Sequence, residues 1–251
     1  MNRVKVGFFS LSGRSTTGDD RPYLEWHQLD HMPEQYQLPG LVFGQRWAST
    51  PECRAARVAE VADWVSIDHV VSYLMGEPVD ATLDDFLTLG QRLADMGRFS
   101  HRLPSVYTGG LLLLETHAAP GALVSPEVVP FRPNRGVQLV VEEPADQDRE
   151  GWDAYLQRAH AEVMPELMSV PGVAGAWVFA TSPAIRRRPN FKKGRYRMTL
   201  YYLDDEPAVV AGRLAEPLRR SWKDGGTRPL LAAPYESMMR WDWGRFGPGA
   251  P

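Results

Sequence analysis

The sequence of 251 residues contains one cysteine, carries little net charge and has no long apolar run. A lone Cys53 excludes an internal disulfide and a metal site built from cysteines. The net charge of −3 gives no general attraction to polyanions, so we expect no nucleic-acid partner. No apolar run approaches the roughly 20 residues of a membrane span, and the apolar part of the N-terminus is too short for a signal peptide. We therefore expect a cytoplasmic protein without a membrane partner.

An internal repeat is the clearest feature that is present. The segment from Tyr23 to Gly40 (YLEWHQLDHMPEQYQLPG) aligns without a gap with the segment from Tyr155 to Gly172 (YLQRAHAEVMPELMSVPG). Both copies have Tyr-Leu at the start, Met-Pro-Glu in the middle and Pro-Gly at the end. Two copies are too few for a solenoid, so they indicate two similar modules.

Each half has the same order of predicted elements. Apolar β-branched runs predict strands, helical spacing of apolar residues predicts helices, and Pro- and Gly-rich stretches predict turns. In the first half we predict strands at Val4 to Leu11, Leu41 to Ala48, Asp68 to Met75 and Leu111 to Thr116, and helices from Pro22 (interrupted at Pro33), over Pro51 to Ala62, and over Leu83 to Met96 with Thr82 as N-cap. In the second half we predict strands at Val137 to Glu142, Val173 to Ala180, Tyr196 to Leu203 and Tyr235 to Trp241, and helices over Trp152 to Met168 and Val209 to Arg220.

This β-α-β-β-α-β order is the ferredoxin-like plan, and it predicts an α+β fold of two tandem modules. Residues 1–117 form the first module, the Pro-rich residues 118–135 a linker, and residues 136–251 the second module. Helices cover only one face of such a sheet, so the other face needs a partner. We expect the two antiparallel sheets to pack into one intramolecular α/β barrel.

The first copy of the repeat also resembles a known family. His31, Pro33 and the turn Leu38-Pro39-Gly40 match the pattern of the EthD-like branch of the dimeric α/β-barrel superfamily. The resemblance implies a cleft between sheet and helices that holds small aromatic or polyketide-like molecules. Members of the superfamily include cofactor-free monooxygenases, lactone isomerases, polyketide cyclases and haem-binding proteins. They usually pair two chains, whereas this tandem implies a pseudo-dimer within one chain and leaves further pairing open.

The candidate catalytic residues are His27, His31 and Asp30. Histidine titrates near neutral pH and can exchange a proton in one cycle, and two imidazoles one helical turn apart oppose double protonation. Asp30 lies three residues after His27 and could orient it. In the second copy Ala159 and Val163 replace the two histidines. The pattern therefore predicts candidate catalytic histidines in the first half and none at the equivalent positions of the second half.

The candidate substrate-binding residues lie on or beside the same elements. Trp26 precedes His27 on the helix, Arg46 and Trp47 lie on the second predicted strand, and His69 and Tyr73 share one face of the third. We expect them to contact a hydrophobic substrate without any cofactor. The expected function is an enzyme for cyclisation, isomerisation or cofactor-free oxygenation, and the alternative is a non-catalytic binding or accessory protein.

Three other hypotheses remain open at this level. His27 and His31 could bind a metal with Asp30, Glu34 or His69 as third ligand, or a histidine could bind haem. The basic stretch from Arg186 to Arg195 (RRRPNFKKGR) is typical of a solvated loop or of an anion contact.

Overall fold

The computed structural model describes residues 2–99, 102–145, 149–223, 226–238 and 247. The end of the predicted last strand, after residue 238, lies outside these residues. Within them, the helices include none that is long and apolar enough to cross a membrane.

Nine strands of the described residues form one sheet, in which every pair of neighbouring strands is antiparallel. The strands are β1 (Val6–Ser12), β2 (Leu41–Ala48), β3 (Ala59–Glu60), β4 (His69–Met75), β5 (Ser105–Ala118), β6 (Gly136–Pro144), β7 (Val173–Ala180), β8 (Arg197–Leu203) and β9 (Thr227–Ser237). Their order is β2-β4-β1-β5-β7-β8-β6-β9-β3. Because β2 also pairs with β9, eight strands form a closed hydrogen-bonded ring.

The register makes the two halves comparable position by position. In the first half β1 pairs with β4 so that Ser12 lies opposite His69. In the second half β6 pairs with β8 so that Glu142 lies opposite Arg197. The halves meet through β5 with β7 and through β2 with β9. Ser12 and His69 of the first half therefore correspond to Glu142 and Arg197 of the second.

Alternation along the strands separates an inner core from two outer faces. The inner core contains large side chains of both halves, among them Phe9, Trp47, Trp177 and Tyr202. Phe9 is fully buried and meets Phe179 edge to face at 5.0 Å, and burial of such a side chain contributes about 2 kcal/mol. The outer faces carry separate apolar clusters that the helices cover.

The helices lie on the outer faces, and each copy of the repeat has the same distorted helix. The α-helices are α1 (Arg21–Trp26), α2 (Met32–Gln35), α3 (Pro51–Ala55), α4 (Val79–Asp95), α5 (Arg149–Arg158), α6 (Met164–Met168) and α7 (Pro207–Ser221). A π turn joins α1 to α2 (His27–His31), and a second joins α5 to α6 (Ala159–Val163). Pro33 and Pro165 have no N–H to continue the α-helical ladder. The preceding methionines donate five residues back instead, Met32 to the carbonyl of His27 and Met164 to that of Ala159. The sequence predicts an interruption at Pro33, and the structure has a π turn that ends two residues before it.

Several predicted boundaries were wrong. Helix α4 begins at Val79, and Thr82 lies inside its first turn with its hydroxyl donating to the Pro78 carbonyl, so it is not the N-cap. The helix predicted over Pro51 to Ala62 ends at Ala55, and residues near its predicted end form β3 against β9. Strands β5 and β9 begin earlier than predicted because the added residues of β5 pair with β1 and those of β9 pair with β6. The last residues of β5 pair with β7 of the other half. The linker contains two short 3₁₀ helices (Pro120–Ala122 and Pro126–Phe131), and it buries Val129 in the inner core.

Candidate functional site

A cleft of about 430 Å³ lies between the outer face of the first-half sheet and helices α1 and α4. Aromatic and apolar side chains form about half of its lining, and polar side chains form the rest. The apolar lining includes Phe8, Trp26, Val71, Phe86, Leu87 and Phe99. The polar lining includes Ser10, Ser12, His27, His31, Gln35 and Tyr73. This volume and this lining are typical of a small-molecule site.

His27 reaches the cleft from the first π turn and meets Tyr73 of β4. A hydrogen bond of 3.2 Å joins the Tyr73 hydroxyl to His27 Nε2, and the histidine is only 4% exposed. Burial lowers the pKa of His27 well below its usual range, and the positive charge of Arg46 lowers it further. Burial also raises the pKa of Tyr73. Both groups are therefore neutral at pH 7.

His31 is held between two aromatic rings. Trp26 stacks on it at 4.9 Å and Phe99 meets it edge-on at 4.9 Å. The side-chain nitrogen of Gln35 lies 3.4 Å from His31 Nε2, which is long for a hydrogen bond. Burial lowers the pKa of His31 to about 4, with smaller effects from Asp30, which raises it, and from Arg46, which lowers it. His31 is 8% exposed, so it is the more accessible of the two imidazoles.

Arg46 supplies a buried positive charge behind this pair. Its guanidinium lies 4.8 Å from the centroid of the Tyr23 ring. Among the described residues, none of its three guanidinium nitrogens finds a hydrogen-bond partner. An uncompensated buried cation opposes imidazolium formation nearby and favours a negative charge in the cleft.

Asp20 and His69 form a second buried pair under Tyr23. Asp20 Oδ2 lies 2.9 Å from His69 Nε2, and both side chains are buried. Burial raises the pKa of Asp20, but the His69 hydrogen bond and charge and the Ser15 amide outweigh it and hold the pKa at about 2. Burial lowers the pKa of His69 although the bond to Asp20 opposes this. The pair is thus a carboxylate that accepts from a neutral imidazole, and it fixes the loop before α1 to β4.

The eight predicted site residues divide into three groups: four line the cleft, two lie behind it and two lie elsewhere. Trp26, His27, His31 and Tyr73 line the cleft together. Arg46 and His69 lie behind it, where each has a Tyr23 ring contact.

Two predicted residues lie elsewhere. Trp47 follows Arg46 on β2, so the two side chains lie on opposite faces of the strand. Trp47 therefore points into the inner core, where its indole N–H donates to Asn134 at 3.1 Å. Asp30 does not orient His27: its carboxylate accepts from Arg98 at 3.0 Å. The π turn is wider than an α-helical turn, so the third residue after His27 faces away from it.

The metal and haem hypotheses for His27 and His31 do not fit this geometry. The candidate third ligands all have other partners. Arg98 forms ion pairs with Asp30 at 3.0 Å and with Glu34 at 2.7 Å. His69 pairs with Asp20. His27 Nε2 is occupied by Tyr73, and the His31 ring is covered on two sides. Nδ1 of each imidazole finds no hydrogen-bond partner among the described residues, so it is the burial of both rings against aromatic side chains that opposes axial haem ligation.

The far wall of the cleft was not predicted from the sequence. Helix α4 lines it with Gly90 and Ala94, and Arg102 lines it after the helix. A side chain at Gly90 would meet open space, so the glycine leaves the cleft wide. Glycine inside a helical pattern was the available signal, because it costs about 1 kcal/mol there and needs a reason.

The basic stretch from the second half also contributes. Arg188 is buried and forms 3.0 Å ion pairs with Asp80 and Asp84 of α4. The amide of Lys192 donates to the carbonyl of Thr108 on β5, and Asn190 lines the cleft. This loop therefore closes one end of the first-half cleft instead of being wholly solvated.

The sequence matches no family model and no curated protein. Solved structures share its architecture across almost the whole chain. An anthrone oxidase-like protein is 11% identical with a TM-score of 0.53 and covers 94% of this chain and 92% of its own. A chlorite dismutase-like protein is 11% identical with a TM-score of 0.55 and covers 97% of both chains. A variant of the chlorite dismutase from Candidatus Nitrospira defluvii is 12% identical with a TM-score of 0.51 and covers 93% of this chain and 92% of its own.

These structures define the class of fold. This chain has the same α+β fold as these structures, with its antiparallel sheet covered by helices. At such low identity the likeness shows the fold alone, and the reaction has to be inferred from the cleft.

Proposed function

We propose that the protein is a small-molecule enzyme that moves a proton on a cyclic, aromatic or polyketide-like substrate in the first-half cleft. The observation that carries this proposal is the convergence of His27, His31 and the Tyr73 hydroxyl on one aromatic-walled cleft. Two neutral imidazoles can accept a proton, and aromatic walls bind a flat apolar substrate.

His31 is the proposed base because it is the more accessible imidazole and its partner contact is weak. Its long contact with Gln35 can give way to a substrate C–H or O–H. Loss of that proton leaves an enolate or phenolate, which the buried charge of Arg46 stabilises. His27, held by Tyr73, serves as the second proton acceptor or returns the proton.

The reaction after proton removal is cyclisation, isomerisation or attack on dioxygen, each of which an activated carbanion can enter without a cofactor. The cleft of about 430 Å³ suits a ligand of two or three fused rings. One structural neighbour is described as anthrone oxidase-like, which supports a tricyclic aromatic ketone as the first substrate to try.

We further propose that the closed ring derives from two tandem ferredoxin-like modules of the EthD-like type. The closing β2–β9 pair and the π turn shared by both copies support this origin. In this proposal the chain is its own pseudo-dimer.

The decisive experiment measures turnover and ligand affinity separately. Wild type, His31→Ala and His31→Gln are assayed with anthrone and related hydroxylated tricyclic ketones, and binding is followed by tryptophan fluorescence. We expect kcat to fall by about 100-fold or more in both variants, with Kd within about threefold of wild type. Measurable wild-type turnover that both variants retain in full contradicts His31 as the base.

A non-catalytic binding protein is the alternative. The low pKa of His27 and His31 favours it, because a general base works best with a pKa near the working pH. Tight binding of the same ligands without turnover in wild type would support this alternative.

A further inference from the structure

A second cluster of histidines lies where the end of β5 meets the second half, away from the cleft. It consists of Glu115, His117 and His160, and we call it the β5 cluster. Glu115 Oε2 lies 2.9 Å from His117 Nε2 and 2.9 Å from His160 Nδ1. One ligand atom of each residue lies within 4.8 Å of the other two.

The topology explains why these residues meet. Strand β5 continues past β1 to pair with β7, so Glu115 lies opposite Val178 and His117 opposite Ala176. Those two β7 residues belong to the outer core of the second half. Period two places Glu115 and His117 on one face of the strand, and the second π turn brings His160 over it. The cluster therefore needs both the long β5 and the distorted helix.

The chemistry of the three side chains suits a cation. Two imidazole nitrogens and one carboxylate oxygen form a familiar ligand set for divalent transition metals.

We propose that the β5 cluster binds a divalent transition-metal cation through Glu115 Oε2, His117 Nε2 and His160 Nδ1, with water in the fourth position. In a tetrahedral site with bonds of about 2.1 Å the ligand atoms lie about 3.4 Å apart. The 2.9 Å contacts thus need to open by only about 0.5 Å. The His160 side chain is 62% exposed and can make this movement.

The proton balance is simple. The ring nitrogens that face Glu115 can donate hydrogen bonds to it, and a metal needs their lone pairs instead. Metal binding therefore requires each imidazole to carry its proton only on the other nitrogen, His117 on Nδ1 and His160 on Nε2. The cation takes the place of the two hydrogen atoms between ring and carboxylate. This proposal is independent of the first-half cleft and of its reaction.

The test is calorimetric titration of the full-length, tag-free, chelator-treated protein with Zn²⁺. We expect one Zn²⁺ per chain. His117→Ala and His160→Ala should each weaken binding by about 100-fold or more, since even outer-shell partners of metal sites cost 10- to 100-fold. Glu115→Gln keeps the size of the side chain and should weaken binding as well. Circular dichroism and thermal melts check that each variant is folded.

Two controls make the result specific. Glu162→Ala removes an exposed acid from the same π turn and should leave the affinity unchanged. The double variant His27→Ala/His31→Ala removes the rival histidine pair and should also bind Zn²⁺ as wild type does. Bound Co²⁺ should give visible absorption bands that disappear in His117→Ala. Absence of Zn²⁺ binding in wild type, full binding in the folded His117→Ala and His160→Ala variants, or loss of binding only in the double variant would each overturn the proposal.

Discussion

The two halves of the molecule place different side chains in the same outer position. In the first half the position under the helix is an open cleft with His27 and Tyr73. In the second half Glu142 fills it, accepting hydrogen bonds from Tyr155, from Arg197 at 2.8 Å and from the Trp222 indole at 2.7 Å. One sheet face therefore holds a candidate binding site, and its counterpart holds a buried ionic network.

The covering helices show the same contrast. Three residues separate β4 from α4, and three separate β8 from α7, so the helices align from their first residues. By this alignment Gly90 and Ala94 of α4 correspond to Leu218 and Trp222. Small residues leave the first cleft open, whereas large ones pack the second outer core.

The π turn does not follow this division. Both halves have it immediately before a Met-Pro pair, although only the first carries histidines at its ends. Backbone bulges of this kind are frequent at functional sites. Here the distortion belongs to the fold, and the chemistry depends on which side chains it presents.

The largest expected effect comes from breaking the second-half network. Arg197→Met leaves Glu142 buried without its counter-charge, which should cost about 3–5 kcal/mol of unfolding free energy. Urea denaturation measures it. The double variant Arg197→Met/Glu142→Leu removes both charges and should recover most of the loss. Equal destabilisation by the single and the double variant would show that packing, and not the unpaired charge, causes the loss.

The next effect sharpens the contrast between the helices. Gly90→Leu gives α4 the residue that α7 has at Leu218, and it should fill the cleft and weaken ligand binding by on the order of 100-fold. Stability should stay equal or rise by up to about 1 kcal/mol, because leucine is the better helix former and its Cβ meets open space. Gly212→Leu on the exposed side of α7 is the matched control and should leave affinity unchanged. Unaltered binding in Gly90→Leu would place the ligand elsewhere.

Acid should destabilise the first half through its neutral histidine. Folding lowers the pKa of His31 from about 6.5 in the unfolded chain to about 4. The unfolded state therefore binds the proton more tightly between these values, and stability falls as pH decreases through that window. For His31 alone the loss between pH 7 and pH 5 is about 2 kcal/mol. Denaturant midpoints of wild type and His31→Gln at each pH measure this loss. The variant should lose less unfolding free energy between pH 7 and pH 5 than wild type. Equal losses in the two proteins would contradict the lowered pKa of His31.

The smallest effect separates the two equivalent tyrosines. Tyr73→Phe removes the hydroxyl that bonds His27 and should cost about 1 kcal/mol of stability. It should also change the pH dependence of turnover, since His27 then titrates without this partner. Tyr201→Phe, at the equivalent position of β8, should leave the turnover profile unchanged. Identical pH profiles for wild type and Tyr73→Phe would remove the pair from the mechanism.

Much of the site was predictable because it depends on short-range periodicity. Spacing along one helix places His27 and His31 together, and alternation along one strand places Tyr73 on the face of His69. The errors arose where that periodicity was disturbed or left unused. The π turn rotated Asp30 away, and strict alternation along β2 should already have separated Trp47 from Arg46.

The sequence by itself determined the repeat, the order of elements and the asymmetry between His27/His31 and Ala159/Val163, because these depend on residue type and local spacing. Only the tertiary structure decided what lies across from them. The contacts of Arg188 with Asp84 of α4, of Glu115 with His160 and of Glu142 with Arg197 join residues far apart in the chain. Such contacts follow from strand register and ring closure, which depend on packing of the whole chain and leave no local pattern.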